Sequence, residues 1–199
     1  MNYTKDFTNG GFVVNTANLK NLNLCLEIGC FEGRTSNYII DNILAPAGKL
    51  LAVDPLSEVY YNENITPVYD HDNKVVHAYF NGQYDRYMSN TKQHHESGKI
   101  ELYRDLSEKA FPLLEKYKGQ VQLAYVDGDH RAAAAYLDGV ESFKLCAKGA
   151  MILFDDYAWA PHYGEEAPKV GIDRFLAEYA NHIASSYFSE GQWVVILKS

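Results

Sequence analysis

Short apolar runs alternate with segments of helical periodicity along most of this chain. The first apolar run covers residues 23–28, and it is followed by a helical stretch at 35–44 and a second apolar run at 49–53. A crossover helix between two strands is the connection that parallel pairing requires. The pattern therefore predicts an α/β domain with a mostly parallel sheet.

The later part of the chain completes the predicted sheet. Two apolar stretches near the C-terminus, 185–188 and 192–197, flank a Ser-Glu-Gly turn, which predicts an antiparallel hairpin. With the earlier runs they give seven strands, and we expect helices on both faces of the sheet. The remaining predicted elements are strands at 99–103, 121–126 and 150–154 and helices at 107–116, 132–146 and 170–181.

The length of 199 residues is that of one domain with one core, so we predict a single domain over residues 1–199. Residues 1–21 are interpreted as an N-terminal arm or lid. Residues 56–98 separate two predicted strands by far more than an ordinary connection and carry six tyrosines. A segment of this kind is a lid over the substrate, a subunit contact or a partly helical surface insert.

The net charge, the hydropathy and the cysteines disfavour a nucleic-acid-binding, membrane or secreted protein. A net charge of −8 without a cluster of Lys and Arg gives no source of affinity for nucleic acid. No apolar stretch approaches the roughly 20 residues that span a bilayer, and the N-terminus lacks an apolar signal core. Cys25, Cys30 and Cys146 lack metal-ligand spacing and fit reduced thiols. We therefore expect a cytoplasmic protein that acts on a small molecule and binds no membrane; a homo-oligomer is left open.

The turn after the first predicted strand reads Glu-Ile-Gly-Cys-Phe-Glu-Gly over residues 27–33. Gly29 and Gly33 would let the backbone approach a ligand closely. A dinucleotide-binding loop has a third glycine and holds a pyrophosphate at the positive end of the helix, whereas Glu27 and Glu32 place negative charge there. This disfavours a nicotinamide dehydrogenase. The charge instead favours a cationic ligand, and S-adenosylmethionine carries both an ammonium and a sulfonium.

Asp54 follows the second predicted strand, close to where an acidic residue binds the ribose of a nucleoside cofactor. A carboxylate can accept two hydrogen bonds from a vicinal diol. The glycine-containing turn and this aspartate are each weak signals alone. Together they predict a nucleoside cofactor at this edge of the sheet.

Four aspartates follow the fourth and fifth predicted strands. Asp127 and Asp129 come after the fourth, and Asp155 and Asp156 after the fifth. A single aspartate at a strand end is commonly a helix cap or a turn residue. Four of them at adjacent strand ends would repel one another, and a bound divalent cation would compensate that charge. Oxygen ligands suit Mg²⁺ or another hard divalent cation.

With these motifs the sequence resembles the class I S-adenosylmethionine-dependent methyltransferases, and among them the methyltransferase 24 family. The resemblance rests on the loop at 27–33, on Asp54, and on the motifs Asp-Gly-Asp-His at 127–130 and Phe-Asp-Asp at 154–156. It covers the chain from about residue 22 onward and implies a Rossmann-like methyltransferase fold. The cofactor-binding residues that it implies are Glu27, Gly29, Cys30, Phe31, Gly33, Asp54, Leu106, Ser107 and Asp127, with Asp54 at the ribose and Leu106 and Ser107 near the adenine.

The resemblance extends to metal-dependent sugar and catechol-type O-methyltransferases. It implies that Asp127, Asp155 and Asp156 bind the metal and that Asp129 is a general base. His130, which precedes a predicted helix, is an alternative base, an acceptor contact or a helix cap. The resulting hypothesis is metal-assisted O-methylation of a small hydroxylated acceptor such as a sugar. A metal-independent or N-directed methyltransferase and a non-catalytic S-adenosylmethionine-binding module stay open as alternatives. The aromatic loop of Trp159, His162 and Tyr163 is predicted to border the acceptor.

Overall fold

The computed structural model describes residues 19–57, 82–158, 166–189 and 191–199. Their strands form one seven-stranded sheet in the order β3-β2-β1-β4-β5-β7-β6. Strands β1 to β5 pair in parallel, whereas β7 is antiparallel to both β5 and β6. The predicted sheet and its C-terminal hairpin are thereby confirmed. The strands are β1 Leu22–Ile28, β2 Leu44–Val53, β3 Ile100–Tyr103, β4 Val121–Val126, β5 Cys146–Phe154, β6 Ile183–Ser189 and β7 Gln192–Leu197.

Helices connect these strands, and several element bounds differ from the prediction. The first helix is short and continues as a π-helical turn over Ile39–Ile43. The strands β2 and β5 each begin several residues before their predicted starts. Short 3-10 turns follow two of the helices, at Glu115–Tyr117 and Ala180–His182. The helices are α1 Arg34–Tyr38, α2 Gln83–Asn90, α3 Lys92–Glu96, α4 Ser107–Leu114, α5 Ala132–Leu145 and α6 Pro168–Glu178.

The central strands of the sheet are buried on both faces, and successive side chains of each strand point to opposite sides. In β1, Leu26 belongs to one apolar cluster, which α4, α5 and α6 cover, and Cys25 belongs to the other. Ile39 from the π-helical turn and Tyr87 from α2 pack in the second cluster. The core therefore consists of two layers, one on each side of the central strands.

Residues 82–98, the described part of the predicted insert, are helical. Tyr87 is completely buried, so this part belongs to the core and is more than a surface insert. Residues 1–18, 58–81 and 159–165 lie outside the described residues, and the predictions about the N-terminal arm and the aromatic loop stay predictions. Within the described chain, no helix has both the length and the apolar character needed to cross a membrane.

Candidate active site

The carboxyl ends of β1, β4 and β5 are joined by backbone hydrogen bonds. The amide of Asp127 donates to the carbonyl of Ile28 at 2.8 Å, and the amide of Asp155 donates to the carbonyl of Val126 at 2.9 Å. Parallel pairing thus brings the residues after each strand to one edge of the sheet, where open α/β folds bind their ligands.

The loop of residues 27–33, which is predicted to bind the cofactor, is called the cofactor loop below. Its two glycines, Gly29 and Gly33, have positive φ angles of 82° and 84°. A β-carbon on Gly29 would lie 1.8 Å from the carbonyl oxygen of Asp127, and one on Gly33 would lie 2.5 Å from the Thr91 Cγ2 atom. The loop also closes on itself, since the Gly33 amide donates to the carbonyl of the buried Cys30 at 2.8 Å. The packing of the protein itself therefore requires glycine at both positions.

The Glu27 side chain is completely buried at the end of β1. The Ser36 hydroxyl donates to its Oε2 atom, while its Oε1 atom has no hydrogen-bond partner among the described residues. Burial raises the pKa of Glu27 to about 8; the Ser36 hydrogen bond opposes this shift, and the charge of Asp54 adds to it. A buried carboxylate with one unpaired oxygen is stabilised by a cation or a hydrogen-bond donor.

Glu32 is compensated within the protein. Its carboxylate accepts a hydrogen bond from the Arg86 Nε atom at 2.7 Å, and its carbonyl accepts one from the Asn90 Nδ2 atom at 2.9 Å. The sequence argument counted Glu32 with Glu27 as negative charge beside the ligand. Among the described residues, Glu27 is the acid of this loop whose carboxylate keeps an oxygen without a hydrogen-bond partner.

Asp54 fixes the cofactor loop to the end of β2. Its Oδ2 atom accepts from the Phe31 amide at 2.9 Å, and its Oδ1 atom accepts from the Leu56 amide at 2.7 Å. Both Phe31 and Leu56 have positive φ angles, so these hydrogen bonds hold turns that side-chain-bearing residues seldom adopt. Each carboxylate oxygen can accept more than one hydrogen bond, and the ribose contact stays a prediction.

Leu106 and Ser107, the predicted adenine contacts, lie at the start of α4. Ser107 interacts with a buried carboxylate of α5, Asp138, which sequence reasoning missed. Burial raises the pKa of Asp138 to about 7, and the hydrogen bond with Ser107 opposes that shift. The signal for Asp138 was its place on the apolar face of α5, between the buried Ala135 and Ser142.

The structure brings Asp127, His130 and Asp156 together, each offering one ligand atom within 4.8 Å of the others. The His130 Nε2 atom lies 2.7 Å from Asp156 Oδ2 and 3.7 Å from Asp127 Oδ1. Each of these side chains is about one-third exposed. Burial, followed by the charges of Asp155 and Asp156, raises the pKa of Asp127 well above its ordinary value. Positive charge at this point would relieve that repulsion.

The Asp155 carboxylate lies in a different hydrogen-bond network. It accepts from the Tyr125 hydroxyl, from Gln192 Nε2 at 3.1 Å and from the Asp156 amide at 2.9 Å. The last of these bonds holds Asp156 in its left-handed conformation, with φ at 52°. Asp155 thus orients Asp156 and, within the described residues, stands apart from the group of possible metal ligands.

Asp129 forms an ion pair with its near neighbour Arg131. Its Oδ1 atom accepts from the Arg131 amide at 2.9 Å, and both of its oxygens contact the guanidinium. Asp129 nevertheless lines a cleft beside His130, with Phe154 and Ile172 on its apolar side. Asp127 and His130 line the same cleft.

A family model described as a methyltransferase domain matches residues 26–157. An uncharacterized protein of Acanthamoeba polyphaga mimivirus, R132, is 27% identical over 158 residues, which are 78% of this chain. The chain spans 62% of the length of that relative.

Solved structures share the fold. The O-methyltransferase TomG of Streptomyces achromogenes, in complex with S-adenosylmethionine, has a TM-score of 0.64 at 16% identity and covers 92% of this chain and 76% of its own. The O-methyltransferase of Bacillus cereus, in complex with S-adenosylhomocysteine, has a TM-score of 0.60 at 17% identity and covers 89% of this chain and 75% of its own.

Proposed function

Because the chain belongs to the methyltransferase-domain family, we propose that it transfers a methyl group from S-adenosylmethionine to a hydroxyl of a small acceptor. The observation that carries this proposal is the unpaired, fully buried oxygen of Glu27 at the carboxyl end of β1. An ammonium group is the complement of such an oxygen. Two structures with the same fold contain this cofactor or its demethylated product, which supports the choice.

The residues around the loop fit the other parts of this cofactor. Asp54 lies beside the loop at the end of β2 and would accept from the ribose hydroxyls. Ser107 lies at the start of α4 and would contact the adenine, as the family resemblance implies. When bound, S-adenosylmethionine supplies a methyl group on a positively charged sulfur. The task of the chain is then to hold an acceptor oxygen in line with that methyl and to remove its proton.

The residues of the cleft would remove that proton in one of two ways. In the first, Asp127, His130 and Asp156 hold a divalent cation, which would lower the pKa of the acceptor hydroxyl, and Asp129 receives the proton after its pair with Arg131 opens. Asp155 then positions Asp156 rather than binding the metal itself. An imidazole ligand in this set would admit Mn²⁺ or Zn²⁺ as well as Mg²⁺.

The second arrangement is metal-independent and rests on one distance. His130 Nε2 lies 2.7 Å from Asp156, and a histidine oriented by a carboxylate is a common general base. With its Nε2–H donating to Asp156, His130 would accept the proton at its Nδ1 atom. Activity that is abolished by a chelator and restored by a divalent cation supports the first arrangement, and activity that survives the chelator supports the second.

Calorimetry with S-adenosylhomocysteine tests the proposed cofactor. We expect binding that Glu27→Gln weakens, since the amide lacks the charge that an ammonium requires. Turnover is then measured on panels of sugars, catechols and amines. No heat with the wild-type chain would reject the proposal, binding without turnover on any panel would favour a non-catalytic module, and turnover confined to amines would favour N-methylation.

A further inference from the structure

Helix α2 and the residue that follows it, Thr91, contact the cofactor loop through four side chains. The Arg86 Nε atom donates to Glu32 at 2.7 Å, and the Asn90 Nδ2 atom donates to the Glu32 carbonyl at 2.9 Å. The side chains of Tyr87 and Thr91 fill the space beside the α-carbon of Gly33. These contacts come from the end of the long segment between β2 and β3, which the sequence suggested as a cover or a surface insert.

Asn90 also connects the loop to the helix that follows it. Its carbonyl accepts from the Asn37 Nδ2 atom of α1 at 3.2 Å, while its side-chain amide donates to Glu32. One residue of α2 therefore contacts both the C-terminal part of the loop, at Glu32, and the helix α1, at Asn37. Because Phe31 carries a side chain at a φ angle of 46°, the loop conformation is costly at this residue and is favoured by such external contacts.

The Arg86–Glu32 pair has the features of a specific contact. The Glu32 side chain is only 11% exposed and that of Arg86 is 37% exposed, so the pair is better shielded than an ordinary surface ion pair. Breaking it would leave a nearly buried carboxylate without its cation beside the turn that is proposed to receive the cofactor.

We infer that α2 is a clamp which holds the cofactor loop in its binding conformation, with Arg86 and Asn90 as positioning residues that act through Glu32. This inference rests on the proposed function, because the conformation matters only if the loop binds the cofactor. It assigns the end of the long segment to the cofactor site, on the side away from the acceptor cleft.

The test is a double-mutant cycle on affinity for S-adenosylhomocysteine, measured by calorimetry. We expect Arg86→Gln to weaken binding about tenfold and Glu32→Gln to weaken it by a similar factor, whereas the double variant should be no worse than either single one. In turnover, the KM for S-adenosylmethionine should rise while kcat stays within about twofold. Asn90→Ala should weaken binding about threefold, since it removes one neutral hydrogen bond to the loop.

The matched control is Arg174→Gln on α6, which breaks an Arg–Glu pair of 2.9 Å with Glu178 on the exposed helix surface. It should leave the affinity unchanged. Hydrogen exchange of the amides in 29–33, measured without ligand, should be faster in Arg86→Gln than in the control if the clamp holds the loop.

The outcomes separate the two proposals. If the wild-type chain binds no S-adenosylhomocysteine, the proposed function fails and the clamp loses its purpose with it. If the wild type binds but Arg86→Gln and Glu32→Gln bind equally well, the clamp alone is overturned. Losses that add up in the double variant would also overturn it, because Arg86 would then act by another route than Glu32.

Discussion

The cofactor loop and the acceptor cleft lie at the same edge of the sheet but differ in how their acids are held. Around the loop, Asp54 accepts from backbone amides and Glu32 binds the guanidinium of Arg86. Glu27 accepts a hydrogen bond from the Ser36 hydroxyl through one oxygen. At the cleft, Asp127 and Asp156 share one histidine and stay about one-third exposed. The acids of the loop are held by partners within the protein, whereas the cleft carries negative charge that a bound cation would balance.

The largest effect is expected on turnover, from substitutions in the acceptor cleft alone. Asp156→Asn and Asp129→Asn should each lower turnover by roughly 10²–10⁴-fold, the usual contribution of a positioned acid or base, while the affinity for S-adenosylhomocysteine stays within about twofold. Steady-state kinetics and calorimetry on the same preparations measure both quantities.

A histidine–aspartate pair outside the cleft, His94 with Asp41, provides the control for these variants. Asp41→Asn removes the partner of His94, 3.4 Å away, and should change neither quantity. Unchanged turnover in both cleft variants would reject the assignment of the acceptor side.

The next effect concerns the point where the two regions meet. Gly29→Ala would push a β-carbon to within 1.8 Å of the Asp127 carbonyl at a φ of 82°, so either the loop or the end of β4 must move. We expect a loss of about 3 kcal/mol or more in the free energy of unfolding, measured by urea denaturation. Gly98→Ala has the same kind of φ with open space around it, and it should cost only roughly 1 to 2 kcal/mol. Equal losses would show that the contact between loop and cleft is unimportant.

A third experiment sharpens the description of the cofactor side. Burial raises the pKa of Glu27 to about 8, above the ordinary 4.5, so the folded chain binds a proton there that the unfolded chain releases. The Glu27 contribution to stability is therefore full below pH 4.5 and decreases as the pH rises to about 8. Glu27→Gln should gain stability relative to wild type over that range, by about 1 kcal/mol per pH unit. Urea denaturation at pH 5, 6.5 and 8 measures this difference, and a constant difference would contradict the raised pKa.

The smallest expected effect lies outside both regions. Partial burial opposes the shift, but hydrogen bonds from Tyr103, Tyr117 and two lysines lower the pKa of Glu101 to about 2. Glu101→Gln should therefore cost less than about 1 kcal/mol above pH 4.5, because the group is partly exposed. That cost should vanish as the pH falls from 4.5 towards 2, in the opposite sense to Glu27. Thermal unfolding at pH 3 and pH 7 tests the sign.

The local pattern was sufficient for the strands and for the residues at their ends. Alternating apolar runs predicted β1 and β4 to within one residue, since a strand buried on both faces leaves a continuous apolar signal. It was less informative for β2 and β5, whose first halves contain alanine, glycine, proline or lysine and pair in an irregular register. Asp138 was also missed, because one acid in a helix looks like surface until its neighbours are known.

The sequence by itself determined the order of the strands and of the helices outside the long segment between β2 and β3. It also determined the glycine-containing turn and the concentration of acids after the central strands. Only the tertiary structure decided which partner each acid receives: Arg86 for Glu32, Tyr125 and Gln192 for Asp155, and His130 for Asp156. The physical reason is the separation of these partners along the chain. Periodicity and turn chemistry act over a few neighbouring residues, whereas these partners lie 26 to 54 positions apart and meet only when the sheet is assembled.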